Sequence, residues 1–311
     1  MTMYEQKTVT GERSLDWPLI LFFVLAYTIA WGTFGIVGLI ARQSGITDAQ
    51  TLLMMGEAFQ FEGVTLSVPH WFVYLLTRLA DFAFSIAGVV MIAVTAGRVG
   101  LRELWQRLTR WRISWYWYML GLLPIVLYGL ATAVAQAIPS AIINGGTITT
   151  ALFSLHAGFF VSLFLRGALG EELGLRGFAL PRLQERMSPF YGSLIIGILW
   201  GAWHLPVLIG RDILSIVAFS LLSLGLSMLF TWLFNGSGSS LIPVLLFHAS
   251  QNWEDGFEIL FPSLVGTEWE LVSTLSLLVI GVVAGIVVWR NSGNQRKMQR
   301  TRLNQASGES S

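Results

Sequence analysis

Leu163-Phe164-Leu165-Arg166-Gly167-Ala168-Leu169-Gly170-Glu171-Glu172-Leu173-Gly174-Leu175-Arg176-Gly177-Phe178 sets two carboxylates and two guanidinium groups inside an apolar run. A charge at the centre of a membrane helix costs roughly 2.5–3.5 kcal/mol on insertion scales. Groups that costly normally face a polar cavity or a partner. The stretch therefore reads as the inner wall of a membrane-embedded helix bundle and as the first place to look for chemistry.

The composition points the same way. Of 311 residues, 54% are hydrophobic and 12% charged, whereas soluble domains carry about 25% charged residues. Thirteen Trp and twenty Phe suit aromatic belts at the two membrane surfaces. Thirty-two Gly suit close helix packing in lipid. With no Cys, disulfides, thiolate metal sites and thiol nucleophiles are excluded, and the redox compartment stays open. Phosphate-cradling glycine loops and nucleic-acid motifs are missing. The run from Trp17 to Ile40 is too long for a signal-peptide core and lacks a small-residue cleavage site, so it is read as a first span.

About eight spans of suitable length are expected, at 17–41, 71–96, 115–138, 151–180, 190–210, 213–234, 241–252 and 270–289. The expected fold is all-α, a polytopic membrane helix bundle. Residues 1–16 form an N-terminal tail, 17–289 a single transmembrane domain with its motif-bearing core at 151–255, and 290–311 a basic, disordered tail. Segments 97–114 and 290–311 each carry a net charge of +4, and 181–189 adds Arg182 and Arg186 against Glu185. The positive-inside rule puts these on the cytoplasmic side with both termini. A bacterial plasma membrane is the default expectation. Within 100–112, Leu101, Leu104, Trp105 and Leu108 recur at helical spacing between arginines. This predicts an amphipathic helix on the inner membrane surface, or else a solvated connector.

Three polar signals fall on successive apolar spans. Glu172 and Arg176 are four apart, on one helix face and in the better order for an ion pair, while Glu171 points elsewhere, free at a cavity. His204 lies in an apolar span with Trp200 one turn before it and Pro206 loosening the helix after it. His248 and Asn252 again share a face. Taken singly, these could be an inter-helix clamp, a packing histidine and the polar end of a short span. Measured from span ends, Glu171, His204 and His248 lie about 15, 21 and 12 Å deep at 1.5 Å per residue. Those depths overlap, so the three spans are expected to share one pocket.

A Glu, two His and an Asn suit hydrolysis by an activated water, with hydrogen bonds to a tetrahedral oxyanion. Two His and a carboxylate could instead hold a metal, but the His-Glu-x-x-His helix of zinc proteases is absent, as are serine- and aspartyl-protease signatures. Asp81 and Arg78 read as an internal pair, and His70 and His156 receive no role.

At these residues the chain resembles the CPBP family of intramembrane proteases, which includes CAAX prenyl proteases and bacteriocin-processing and immunity proteins. Glu171, Glu172 and Arg176 match its Glu-Glu-x-x-x-Arg motif. His204 matches Phe-x-x-x-His with Trp200 in place of Phe, and His248 with Asn252 matches His-x-x-x-Asn. The resemblance covers about 160–255. It implies a metal-independent glutamic endopeptidase without cofactor, acting on a membrane-embedded or lipidated peptide or protein within the bilayer. Glu171 and His204 would activate water, His248 and Asn252 would stabilise the oxyanion, and Glu172, Arg176 and Trp200 would support them. The competing expectation is a catalytically silent membrane protein of the immunity or scaffolding type, which binds a peptide or partner. A transporter is disfavoured by the lack of an inverted repeat.

Overall fold

The computed structural model describes residues 16–46, 52, 61, 63–127, 158–252, 279 and 281–290. The N-terminal tail before Asp16, the tail after Arg290, His156, and parts of the expected spans at 115–138, 151–180 and 270–289 lie outside the described residues. Among the described residues every regular element is helical.

Helix α1 is Trp17–Gln43, with the Asp16 carboxylate capping its first turn through the Leu19 N–H at 3.1 Å. The expected second span is divided at Phe82 into α2, His70–Asp81, and α3, Ala83–Leu108. Helix α3 runs on through the expected loop, kinked at Gly97, whose φ of 58° suits glycine alone. Helix α4 is Trp115–Gly121. Residues 158–165 are helical (α5), and the chain then breaks at Arg166, where the backbone is extended. Helix α6 is Gly167–Gly174, followed by a π turn at Leu175–Ala179 and by α7, Leu180–Arg186. Helix α8 is Pro189–Trp203, α9 Leu205–Leu208, α10 Ile213–Gly236, α11 Ile242–Gln251 and α12 Gly281–Arg290.

Polarity is distributed as a bilayer demands. Three helices, α1, α3 and α10, are long and apolar enough to cross a membrane, and α8 and α12 are shorter apolar helices. Large apolar side chains such as Leu21, Val94, Ile213 and Leu214 point outward, whereas Glu171, Glu172, Arg176, Ser227 and His248 are buried. An outside made of hydrocarbon and an inside holding ions is the solution a lipid solvent favours. The fold is an all-α polytopic membrane bundle.

Small residues bring the site-bearing helix into the bundle. Gly170 and Gly174, one turn apart on α6, abut the backbone carbonyls of Asp81 and Phe84, and a Cβ at Gly88 would lie 2.7 Å from Gly174 Cα. Side chains there would push α6 off α3. Such small-residue seams allow the close backbone approach that holds helices together in lipid. Around the seam, Phe22, Ala26, Phe84, Leu175 and Phe178 form one buried core with Trp200, Phe230 and Phe247.

The amphipathic segment is a helix as far as Leu108, but its inner face meets protein. Leu104 is buried against Gly177, and the Arg107 guanidinium donates to the Gly177 carbonyl in the π turn at 2.7 Å. Asp16 meets Arg182 at 3.6 Å and Arg186 at 3.4 Å. The start of α1 and the 181–189 segment therefore lie at the same end of the bundle.

Candidate active site

The expected Glu172–Arg176 pair forms as the helix period requires. Arg176 Nη1 is 3.0 Å from both Glu172 carboxylate oxygens, and both side chains are fully buried. The guanidinium also donates from Nη2 to Ser227 Oγ of α10 at 3.1 Å and lies over the Phe230 ring at 4.9 Å. Ser227 in turn donates to the Ser193 carbonyl of α8 at 2.8 Å. One cation thus ties the π turn to α6, α10 and, through Ser227, α8. Such pairing is how a buried charge is tolerated.

Spacing alone did not reveal where His248 points. Its Nδ1 lies 2.8 Å from Glu172 Oε1 across the α6–α11 contact. A carboxylate only accepts, so Nδ1 carries the proton. Glu172 therefore holds two cationic or N–H partners on two elements, and His248 has its Nε2 directed elsewhere.

Glu171 was expected to be free at a cavity, and it does line one. It also has a partner that the sequence reading missed: Trp200 Nε1 donates to Glu171 Oε2 at 2.5 Å. The same indole lies between the two imidazoles, its ring 5.7 Å from that of His204 and 5.7 Å from that of His248. His204 caps the C-terminus of α8, and Pro206 falls in the first turn of α9, as the loosening expected of it implies. His204 Nδ1 lies 2.9 Å from the Trp200 carbonyl, which fixes the Nδ1–H tautomer and leaves Nε2 as the ring's acceptor.

The cavity has a volume of about 220 Å³. Glu171, His204 and Asn252 line it with Asp81, Arg166 and Gln251, while Phe34, Trp203 and Val207 supply apolar wall. Gly167 marks the point of closest convergence. A Cβ there would lie 2.8 Å from Glu171 Oε1, 3.1 Å from Asn252 Nδ2 and 3.2 Å from His248 Nε2. An acid, an amide and an imidazole on α6 and α11 thus surround one small volume left open by a missing side chain. Among the described residues, no group of three or more His, Cys, Asp or Glu converges to hold a metal ion.

Asp81 and Arg166 were not assigned to the site from sequence. Asp81 meets Arg78 at 3.0 Å, as the i,i+3 spacing suggests, yet it also reaches the cavity wall. Arg166 reaches it because the break before α6 turns the chain there. Their signal was present as charge within apolar sequence. His70 is remote from this site, stacked on Phe61 with ring centroids 4.6 Å apart and bonded to the Val64 carbonyl.

Comparison with known proteins adds an independent line. Residues 152–253 match the family described as "Type II CAAX prenyl endopeptidase Rce1-like". A CAAX prenyl protease 2 of Methanococcus maripaludis is 28% identical over 209 residues, covering 60% of this chain and 75% of that protein. Both matches agree with the resemblance carried by the three motifs.

Proposed function

We propose, from the match of residues 152–253 to the Rce1-like CAAX endopeptidase family and the three motifs within it, that the chain hydrolyses a peptide bond of a membrane-associated, prenylated protein or peptide through a water activated by Glu171. The carrying observation is the convergence of Glu171 Oε1, Asn252 Nδ2 and His248 Nε2 on the space beside Gly167, within a cavity that His204 also lines.

In this reading the Glu171 carboxylate removes a proton from water as the water oxygen attacks the scissile carbonyl carbon. The C=O π electrons move to oxygen, and Asn252 and His248 donate hydrogen bonds to that oxyanion. Charge stabilisation of this kind is usually the largest catalytic contribution. For His248 to donate from Nε2 as well as Nδ1, the ring carries both protons, and the Glu172 carboxylate balances the charge. The tetrahedral species collapses with cleavage of the C–N bond, and the proton held on Glu171 passes to the leaving nitrogen. His204, with its acceptor Nε2, assists the proton transfer. Trp200 orients Glu171 through its N–H.

No metal is needed for these steps. Glu172, the carboxylate beside His248, is already engaged by the Arg176 and His248 N–H groups and is poorly placed to serve as a ligand. The arginines of 97–114 and 181–189 support an orientation with these segments on the cytoplasmic side of the membrane.

The test uses purified protein in detergent and a farnesylated, fluorophore-quenched peptide, with Glu171→Ala as the variant. Loss of a positioned base lowers the rate by about 10²–10⁴, and a chelator should leave the wild-type rate unchanged. Undiminished cleavage by Glu171→Ala, or activity abolished by chelation and restored by zinc, would reject the mechanism. A wild-type protein that binds the peptide without cleaving it would favour the silent, peptide-binding reading.

A further inference from the structure

Helix α1 lies outside the family-matched residues 152–253, yet it reaches the turn that carries His204. Tyr27, Trp31 and Phe34 recur at i, i+4 and i+7, a single helical stripe. The Tyr27 hydroxyl donates to the Leu199 carbonyl at 2.5 Å, and Trp31 Nε1 donates to the Trp203 carbonyl at 3.0 Å. Phe34 packs against the Trp203 ring at 6.3 Å and forms part of the cavity wall.

The Trp31 contact falls where α8 most needs donors, and the Tyr27 contact braces the turn just before it. The last four carbonyls of an α-helix have no partner within it. At the end of α8, His204 Nδ1 supplies Trp200, the His204 backbone N–H supplies Gly201 at 3.1 Å, and Trp31 supplies Trp203. The hydrogen bond that sets the His204 tautomer belongs to this same capped turn. With water excluded by lipid, a carbonyl that loses its donor draws the turn into another arrangement.

We propose that Tyr27 and Trp31 are positioning residues for His204: by bonding the end of α8 from α1, Trp31 at its last carbonyl and Tyr27 one turn before it, they hold the imidazole in the tautomer and place at which it works. The proposal rests on the hydrolytic reading above. It gives the N-terminal helix a role in turnover.

The test compares wild type, Tyr27→Phe, Trp31→Phe and the double variant on the farnesylated quenched peptide. Thr28→Ala, an exposed position on α1, serves as control. The double variant should lose about tenfold or more in kcat with KM within about twofold, since small misplacements of a reacting group are costly. Its melting temperature should stay within a few degrees of wild type. In ¹⁵N-histidine spectra, with His204→Ala used for assignment, the Nδ1–H form of His204 should give way to a mixture of tautomers. Wild-type kcat in the double variant, a loss shared by Thr28→Ala, or a loss matched by a parallel fall in melting temperature would overturn the positioning role. Glu171→Ala in the same assay separates the two ideas. If it is inactive while the double variant is normal, only the positioning role fails; if it cleaves normally, the hydrolytic reading fails and takes the positioning role with it.

Discussion

His248 Nδ1 donates to Glu172 Oε1 at 2.8 Å, joining α11 to α6 through a carboxylate that Arg176 also binds at 3.0 Å. The second glutamate of the pair is therefore committed to holding the site together, and the first is left to face the cavity. Adjacent carboxylates acquire different environments because neighbours on a helix point about 100° apart.

Removal of Arg176 leaves Glu172 buried without its cation. Breaking a buried pair from one side costs about 3–5 kcal/mol. Arg176→Ala should therefore lower folded yield and activity together, read by thermal unfolding in detergent beside the cleavage assay. Arg176→Lys should not restore both, because one ammonium does not reproduce the reach to Glu172, Ser227 and the Phe230 ring.

Ser227→Ala removes the acceptor of Arg176 Nη2 and the donor to the Ser193 carbonyl. Leaving such buried groups unsatisfied costs about 1–3 kcal/mol each. The variant should melt several degrees lower and retain measurable cleavage, which distinguishes support of the arginine from participation in the reaction.

Gly167→Ala inserts a methyl group where Glu171, Asn252 and His248 converge. The Gly167 φ is not in the left-handed region, so alanine meets no backbone penalty there, and in a helix alanine is favoured over glycine by roughly 0.5–1 kcal/mol. The expected result is a protein of near wild-type melting temperature whose kcat falls by about a hundredfold or more. Near-normal turnover would mean that the space beside Gly167 is not where the reaction occurs.

Trp200→Phe keeps an aromatic ring and deletes the N–H held by Glu171 at 2.5 Å. Hydrogen bonds to charged groups contribute about 1.5–3 kcal/mol, so kcat should fall at least about tenfold with little change in KM. Equal rates would show that Glu171 is oriented by other contacts.

Local features of this architecture were legible in the sequence, and contacts between helices much less so. The Glu172–Arg176 pair follows from helical period alone, and of the three residues with overlapping depths Glu171 and His204 line one cavity, while His248 approaches it beside Gly167. The chain break at Arg166 and the π turn at Leu175–Ala179 leave no trace in hydropathy, because the residues on either side remain apolar. The Trp200–Glu171 and His248–Glu172 bonds join residues 29 and 76 positions apart, beyond any periodic argument. Asp81 looked complete beside Arg78 because i,i+3 spacing explains a pair and says nothing of a cavity. Tyr27 and Trp31 were not singled out within the first apolar span, since a carbonyl acceptor on another helix has no sequence signature.

The most direct test of the central claim, that Glu171 and His248 act on one reacting centre, is a double-mutant cycle on single-turnover cleavage of the farnesylated peptide. Groups acting as one unit give strongly non-additive losses. The account predicts that Glu171→Ala/His248→Ala is slower than the worse single variant by no more than about threefold. Losses that multiply, or either single variant cleaving at the wild-type rate, would contradict it.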